Sequence, residues 1–329
     1  VHFPTAKAYG MLQLTPEEEA VHAQYESTAF LVFKRDTLIF EKYFGDGGVD
    51  VVSNSFSMAK SYTAILIGVA IDEGLIKSVD QPVSDFLPEF KEGENAKLTI
   101  KNLLQMASGI PFGESYASPF GYMAKAYFGD NLQEATAHFR VKTEPGTGWV
   151  YEGGNIVLLG EILMKATGKS VSQYFEEKIW SKIDTGHDAY WNLDRQGGME
   201  KVFSGFYATA RDFSRVGMLY ENNGVWREDT LLSPQYVQES ITPCMITDIT
   251  PEKSTGEKCS WYGYQWWMGK VDGHDFFCTK GLRGQYVIVI PDLELIVTRL
   301  GHTQSKDRID HHPADLYEFA RMGIRMNLP

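Results

Sequence analysis

Hydrophobic positions along this chain fall into two rhythms. Short β-prone runs stand near both ends, and longer apolar stretches of helical character fill the middle. Residues 29–33 (AFLVF) and 37–44 (TLIFEKYF) flank Lys34-Arg35-Asp36, the signature of a hairpin. Residues 262–268, 275–279, 286–290 and 293–300 read as strands, the last two joined by Pro291-Asp292. Residues 61–71 (SYTAILIGVAI) are apolar on nearly every side and predict a buried helix, closed by Gly74. Further helices are expected over 156–166, 171–183, 205–220 and 314–322. Shorter ones are expected over 99–107, stopped by Ser108-Gly109, and near 233–240. Residues 16–27 form a polar, helix-capable lead-in. Residues 78–90, 109–122 and 222–260 read as loops, and the second, rich in Gly, Pro, Ser and aromatics, suits the cover of a cleft. Strands at both ends around helices predict an α+β layer built by the two termini, with a helical insertion.

Composition narrows the partners. Among 329 residues, 43 acidic and 31 basic side chains leave a net charge of −12, which disfavours nucleic acid and anionic membrane surfaces. No apolar run is long enough to span a bilayer. The chain starts at Val1 rather than Met, as expected if a leader has been removed. Export to the periplasm is therefore the expectation, with a cytoplasmic location as its alternative. The three cysteines are Cys244, Cys259 and Cys278. Cys278 lies in an apolar run and reads as a packing residue. Cys244 and Cys259 flank a polar segment and read equally as a loop disulfide or as two buried thiols.

The candidate chemistry begins at Ser57-Met58-Ala59-Lys60, at the mouth of the apolar helix. Residues three apart on a helix share a face. A lysine in the first turn of a buried helix is pushed towards neutrality by the macrodipole and by desolvation. A neutral amine beside a hydroxyl can make a nucleophile of the serine. Tyr151 sits in a glycine-rich turn before a helix (YEGGNIVLLGEIL) and could relay a proton. Packing is the plainer reading for any one of 17 tyrosines. Thr279-Lys280-Gly281-Leu282, followed by Arg283-Gly284-Gln285, joins two apolar strands. The glycine there admits a close backbone or a ligand.

Other chemistry is thinly supported. Gly168-Lys169-Ser170 imitates the end of a P-loop, but Leu163 stands where a glycine is needed. Gly-x-Ser-x-Gly, His-Glu-x-x-His and Cys-x-x-Cys are absent. His311-His312 reads as a solvated loop, and Trp261, Trp266 and Trp267 as core or cleft wall.

In order and spacing, Ser57, Lys60, Tyr151 and Thr279-Lys280-Gly281 resemble the class C β-lactamase-like serine hydrolases. That group holds β-lactamases, penicillin-binding DD-peptidases, esterases and 6-aminohexanoate oligomer amidases. The resemblance runs over roughly residues 25–325, helped by Glu144-Pro145-Gly146, Ala210-Arg211-Asp212 and Gly284-Gln285-Tyr286. It implies a serine β-lactamase-like α+β fold, with an antiparallel sheet flanked by N- and C-terminal helices and a mostly helical second domain. Residues 1–85 and 200–329 would form the α/β domain and 86–199 the helical one, with the site between them. It further implies Ser57, Lys60 and Tyr151 as catalytic residues and the Ser57 and Leu282 N–H groups as an oxyanion hole. Gly153, Thr279, Lys280, Gly281 and Arg283 would line the substrate, a small ester or amide, with no metal or cofactor.

Two departures stand out. Gly153 replaces the asparagine of Tyr-x-Asn, and Thr279 the lysine of Lys-Thr-Gly. Both losses remove groups that the resemblance gives to β-lactam recognition, so an esterase or amidase is expected ahead of a β-lactamase or DD-peptidase. A non-catalytic penicillin-recognising sensor or scaffold is the rival of another class.

Overall fold

The computed structural model describes residues 3–7, 9–115, 118–251, 254 and 256–327. Its centre is a six-stranded antiparallel sheet in the spatial order Trp267–Val271, His274–Gly281, Gln285–Ile290, Leu295–Gly301, Ser27–Lys34, Thr37–Tyr43. Ser27–Lys34 pairs with Leu295–Gly301, so the two ends of the chain complete one sheet. Alternate strand residues serve opposite faces. On one face Thr298 meets Ser214 of the helix Ala210–Glu221, hydroxyl to hydroxyl at 2.7 Å. On the other, the Arg299 guanidinium lies 4.8 Å from the ring centre of Phe319, on the helix Ala314–Met326. The helix Pro16–Gln24 joins that side, with His22 against Phe30 and Phe319.

The helix Met58–Asp72 is buried at every position from Met58 to Ala70. Its all-round apolar sequence permits nothing else. Ser61 Oγ donates to the Gln265 carbonyl at 2.6 Å, and Tyr236 Oη donates to the Ala64 carbonyl at 2.7 Å. It touches both the helix Gly154–Thr167 and the strand His274–Gly281, joining the sheet to the helical middle.

Four sequence expectations change. The strand expected at 262–268 begins only at Trp267. Gly263 N–H turns back onto the Trp266 carbonyl at 3.0 Å, and Gln265 takes a φ of +65°. Gln265 is buried there, donating to the Leu103 and Leu104 carbonyls at the end of the helix Ile100–Leu104. That duty outranks strand propensity. The helix expected from 205 begins at Ala210, because Phe206–Thr209 pairs as a strand with Val52–Asn54. Thr209 then caps the helix, accepting from Asp212 N–H. The helices Tyr122–Phe128 and Leu132–Ala137 were not legible, being aromatic and polar stretches of seven and six residues, short of two full turns. Finally, His312 is fully buried, its Nε2 2.9 Å from the Met268 carbonyl, and His311 stacks on Trp261 with ring centres 3.4 Å apart. The pair is packed structure, not a solvated loop.

Candidate active site

The chain reaches Ser57 through the short strand Val52–Asn54. Ser55 N–H donates to the Phe206 carbonyl at 2.7 Å, and Asn54 Oδ1 accepts from Phe56 N–H at 2.9 Å. Phe56 has a φ of +46°. A bulky residue in the left-handed region costs about 1–3 kcal/mol and persists only where its surroundings impose it. The sharp turn places Ser57 at the cap of the helix Met58–Asp72 and Lys60 in its first turn.

Lys60 is 2% exposed. Its Nζ donates to Ser57 Oγ at 3.0 Å and to the Phe203 carbonyl at 3.0 Å. A third interaction runs to the Tyr151 side chain, whose ring centre lies 5.0 Å from Nζ. Three acceptors match the three N–H groups of an ammonium. Burial alone would lower the Lys60 pKa. Tyr151, Glu114 and Tyr127 together outweigh it and hold the pKa above its ordinary value. The expected neutral lysine is thereby corrected: negative neighbours reverse the effect of desolvation. Lys60 and Tyr151 therefore interact as a pair.

Tyr151 leans on Trp267, ring centres 5.4 Å apart, and meets Tyr262 edge-on at 6.1 Å. Two carboxylates clasp its turn. Glu152 Oε1 accepts from Gly113 N–H at 2.8 Å, and Glu114 Oε2 accepts from Gly153 N–H at 2.6 Å. Burial pushes the Glu152 carboxyl up to about 7; the Gly113 and Phe112 N–H groups oppose this, and Glu114 adds to it. A Cβ on Gly153 would stand 3.4 Å from Glu114 Oε2 and 3.6 Å from Met123. Glu114 thus lies within contact distance of the glycine. Burial also raises the Tyr127 phenol, whose ring stands edge-on to Phe203 at 5.0 Å.

The strand His274–Gly281 supplies the opposite edge. Its neighbour begins at Trp267, paired with Cys278, so residues 279–281 run past it. Thr279 points inward, 1% exposed, towards Tyr62, and leaves almost no side-chain surface for a substrate. Lys280 points the other way. Its Nζ lies 3.4 Å from the Trp267 ring centre, donates to the His311 carbonyl at 3.2 Å and is 3.4 Å from His312 Nδ1. Burial lowers its pKa to about 7. A Cβ on Gly281 would fall 2.2 Å from the Ser55 carbonyl oxygen and 3.3 Å from Phe56 Cβ. Only a glycine lets this strand touch the turn before Ser57 at Ser55 and Phe56. The Arg283 guanidinium lies 5.6 Å from the Phe56 ring centre. From beneath, Arg299 Nη1 donates to the carbonyls of Arg283, Gly284 and Thr303 at 3.1, 2.8 and 3.1 Å. Gln285 Nε2 donates to those of Leu282 and Gly301 at 3.1 and 2.6 Å.

Lys60 thus joins Ser57 to Tyr151, and Gly281 and Arg283 meet the turn before Ser57 at Ser55 and Phe56, with Lys280 behind Trp267 and Thr279 inside the protein. Sequence reasoning missed Glu114, Tyr127 and the Phe203 carbonyl. A backbone carbonyl leaves no mark in the sequence. Glu114 could have been sought as a group that lies beside Gly153. Among the described residues no group of three or more His, Cys, Asp or Glu side chains could hold a metal ion, and no helix is long and apolar enough to cross a membrane.

Comparison with known proteins gives one consistent pattern. The Beta-lactamase family model matches residues 17–318. The 6-aminohexanoate-dimer hydrolase of Paenarthrobacter ureafaciens is 25% identical over 333 residues, covering 94% of this chain and 81% of the relative. Among solved structures, a Bacillus anthracis protein provisionally named a 6-aminohexanoate-dimer hydrolase superposes with a TM-score of 0.80 at 22% identity, covering 99% of this chain and 87% of that one. A family VIII carboxylesterase gives 0.72 at 19% identity, over 95% and 98%. At such identities the structural likenesses speak for the fold, which is that of the serine β-lactamase-like proteins.

Proposed function

This chain belongs to the Beta-lactamase family, and from that premise we propose that it hydrolyses ester and amide bonds through an acyl ester on Ser57, in the manner of the class C-like esterase and amidase branch. The observation that carries the reading is the 3.0 Å contact between Lys60 Nζ and Ser57 Oγ, with Lys60 buried and tethered to the Phe203 carbonyl. The hydrolase named for the Paenarthrobacter relative supports an amidase component. Residues 1–85 and 200–329 would form one body and 86–199 the other, since Ser57, Lys60, Phe203 and Leu282 fall in the first and Glu114, Tyr127 and Tyr151 in the second.

In this mechanism Ser57 Oγ attacks the carbonyl carbon while its proton passes to the Lys60–Tyr151 pair. The pair must begin one proton short of full occupancy, as ammonium with phenolate or amine with phenol. The N–H groups of Ser57 and Leu282 receive the developing oxyanion, each such donor being worth roughly 3 kcal/mol in the barrier. Tyr151 then hands the proton to the departing oxygen or nitrogen. Water attacks the acyl ester by the same route in reverse, and Ser57 recovers its proton.

Substrate choice follows from what lines the edge. Thr279 offers no charge and is buried, and Gly153 offers no side chain. Small uncharged acyl esters should therefore turn over readily, some amides more slowly, and penicillins and cephalosporins poorly. The test is fluorophosphonate labelling of wild type and Ser57→Ala, with catalytic efficiencies on p-nitrophenyl butyrate and nitrocefin at pH 7–8. A wild type that fails to label, or a variant that still does, ends the nucleophile assignment. Efficiency on nitrocefin equal to that on the ester would reject the substrate preference and point to Arg283 as a carboxylate anchor.

A further inference from the structure

The Lys60–Tyr151 pair gains a positive charge each time it takes the Ser57 proton, and the Lys60 side chain that shares it is buried. Something fixed must answer that charge, because a buried cation without a counter-charge is costly. Glu114 is in position to do so. Its carboxylate is seated on the Gly153 N–H at 2.6 Å, at the N-terminus of the helix Gly154–Thr167, where the aligned backbone dipoles favour an anion. It lies directly beside Gly153, where a Cβ would come within van der Waals contact of Oε2 at 3.4 Å. From there its charge acts on Lys60. It also faces Glu152, Tyr122, Tyr127 and Tyr262. Lys60 in turn is faced by Tyr151 and Tyr127 as well as by Glu114. Among the described residues that act on Lys60, Glu114 contributes the carboxylate and Tyr151 and Tyr127 the phenols.

We propose that Glu114 is a positioning residue for the reaction, the fixed counter-charge that stabilises the Lys60–Tyr151 pair while it holds the proton taken from Ser57. The inference rests on the acyl-serine reading above. In the step concerned, the Ser57 Oγ–H bond breaks, the Oγ–carbon bond forms, and the proton rests on the pair before passing to the leaving group. The carboxylate exchanges no atoms. It lowers the energy of the protonated pair, and so makes the pair a stronger base.

The charge has a sign that can be read. Activity requires the pair to start one proton short, so the rate rises with pH as the free pair gives that proton up. A negative Glu114 delays this loss. Glu114→Gln keeps a side-chain oxygen to accept the Gly153 N–H and removes only the charge. The ascending limb of its pH–rate profile on p-nitrophenyl butyrate should therefore move to lower pH. The plateau kcat should fall, by about tenfold or more within the range of acid–base effects, with KM little changed. Glu114→Asp, which restores the charge, should return the limb towards its wild-type position. A purely structural role would lower kcat and leave the limb in place. An unmoved limb in an active Glu114→Gln protein overturns the inference, as does a limb displaced equally in the aspartate variant. Should the glutamine variant not fold, a limb in the aspartate variant that coincides with wild type while kcat is retained supports the charge, and any other profile counts against it. Failure of the wild-type enzyme to turn over the ester, or full activity in Ser57→Ala, would sink the acyl-serine reading itself and this inference with it.

Discussion

Replacing Glu152 by glutamine removes one ionisable carboxyl and keeps an oxygen that can accept the Gly113 N–H. In the folded protein burial pushes this carboxyl from 4.5 up to about 7, and the side chain is only 7% exposed. The fold therefore holds its proton more tightly than the unfolded chain does. Stability from this group is fully present below about pH 4.5 and is lost as pH rises to about 7. At about 1.4 kcal/mol per pH unit, the loss by pH 8 is about 3 kcal/mol. The glutamine variant cannot lose it. Urea unfolding of both proteins between pH 4.5 and 8 should show the variant gaining about 3 kcal/mol on wild type as pH rises. Glu161, which burial also pushes up to about 7, is common to both and cancels. A stability difference that stays constant with pH would refute the reasoning, and would mean that Glu152 is hydrated or fully compensated in solution.

Three further outcomes are expected. Tyr151→Phe removes one oxygen from a ring held by Trp267 and Tyr262, so melting should be unchanged while kcat falls about 10²–10⁴-fold; full activity would make Tyr151 a packing residue. Gly281→Ala drives a methyl to 2.2 Å from the Ser55 carbonyl oxygen, so the strand must retreat from Ser57. Displacement by about 1 Å can cost about 10²-fold in rate, and a variant with wild-type kcat would disprove that close approach. Cys244 and Cys259 are free in this structure, yet Cys244 Sγ lies 3.7 Å from the Cys259 carbonyl oxygen and the two thiols interact. Mild oxidation should join them, read by non-reducing peptide mapping, and two free thiols after oxidation would end the idea.

The elements legible in the sequence were those whose periodicity and burial agree. The hairpin at the start, the last three strands and the helix beginning at Met58 each carry an apolar pattern that only one structure can bury. The illegible parts answer to partners far away in the chain. Gln265 leaves strand geometry to satisfy carbonyls more than 160 residues earlier, and Phe206–Thr209 becomes a strand because Val52–Asn54 lies beside it. The candidate site divides in the same way. Ser57, Lys60, Tyr151 and Gly281 stand in short, spaced motifs. The inward turn of Thr279, the upward shift of the Lys60 pKa and the seat of Glu114 depend on which neighbours folding delivers. No local window contains those neighbours.

The closing of the sheet by both chain ends sets an order of events during synthesis. Ser27 and Arg299, hydrogen-bonded at 3.0 Å, are separated by 272 residues. The strand Ser27–Lys34 leaves the ribosome with its hairpin partner alone, and a two-stranded hairpin is barely stable in water. It must wait, with an unpaired edge, for almost the whole chain to follow. The turn over Arg299, which fixes the carbonyls of Arg283 and Gly284, comes together at that same late moment. A nascent or C-terminally truncated chain would thus carry Ser57 and Lys60 but not the finished turn at Arg283 and Gly284 where the proposed oxyanion donor of Leu282 lies. Hydrolytic power would arrive only with the last strand, and the stalled form would be a natural client for a chaperone that shields strand edges.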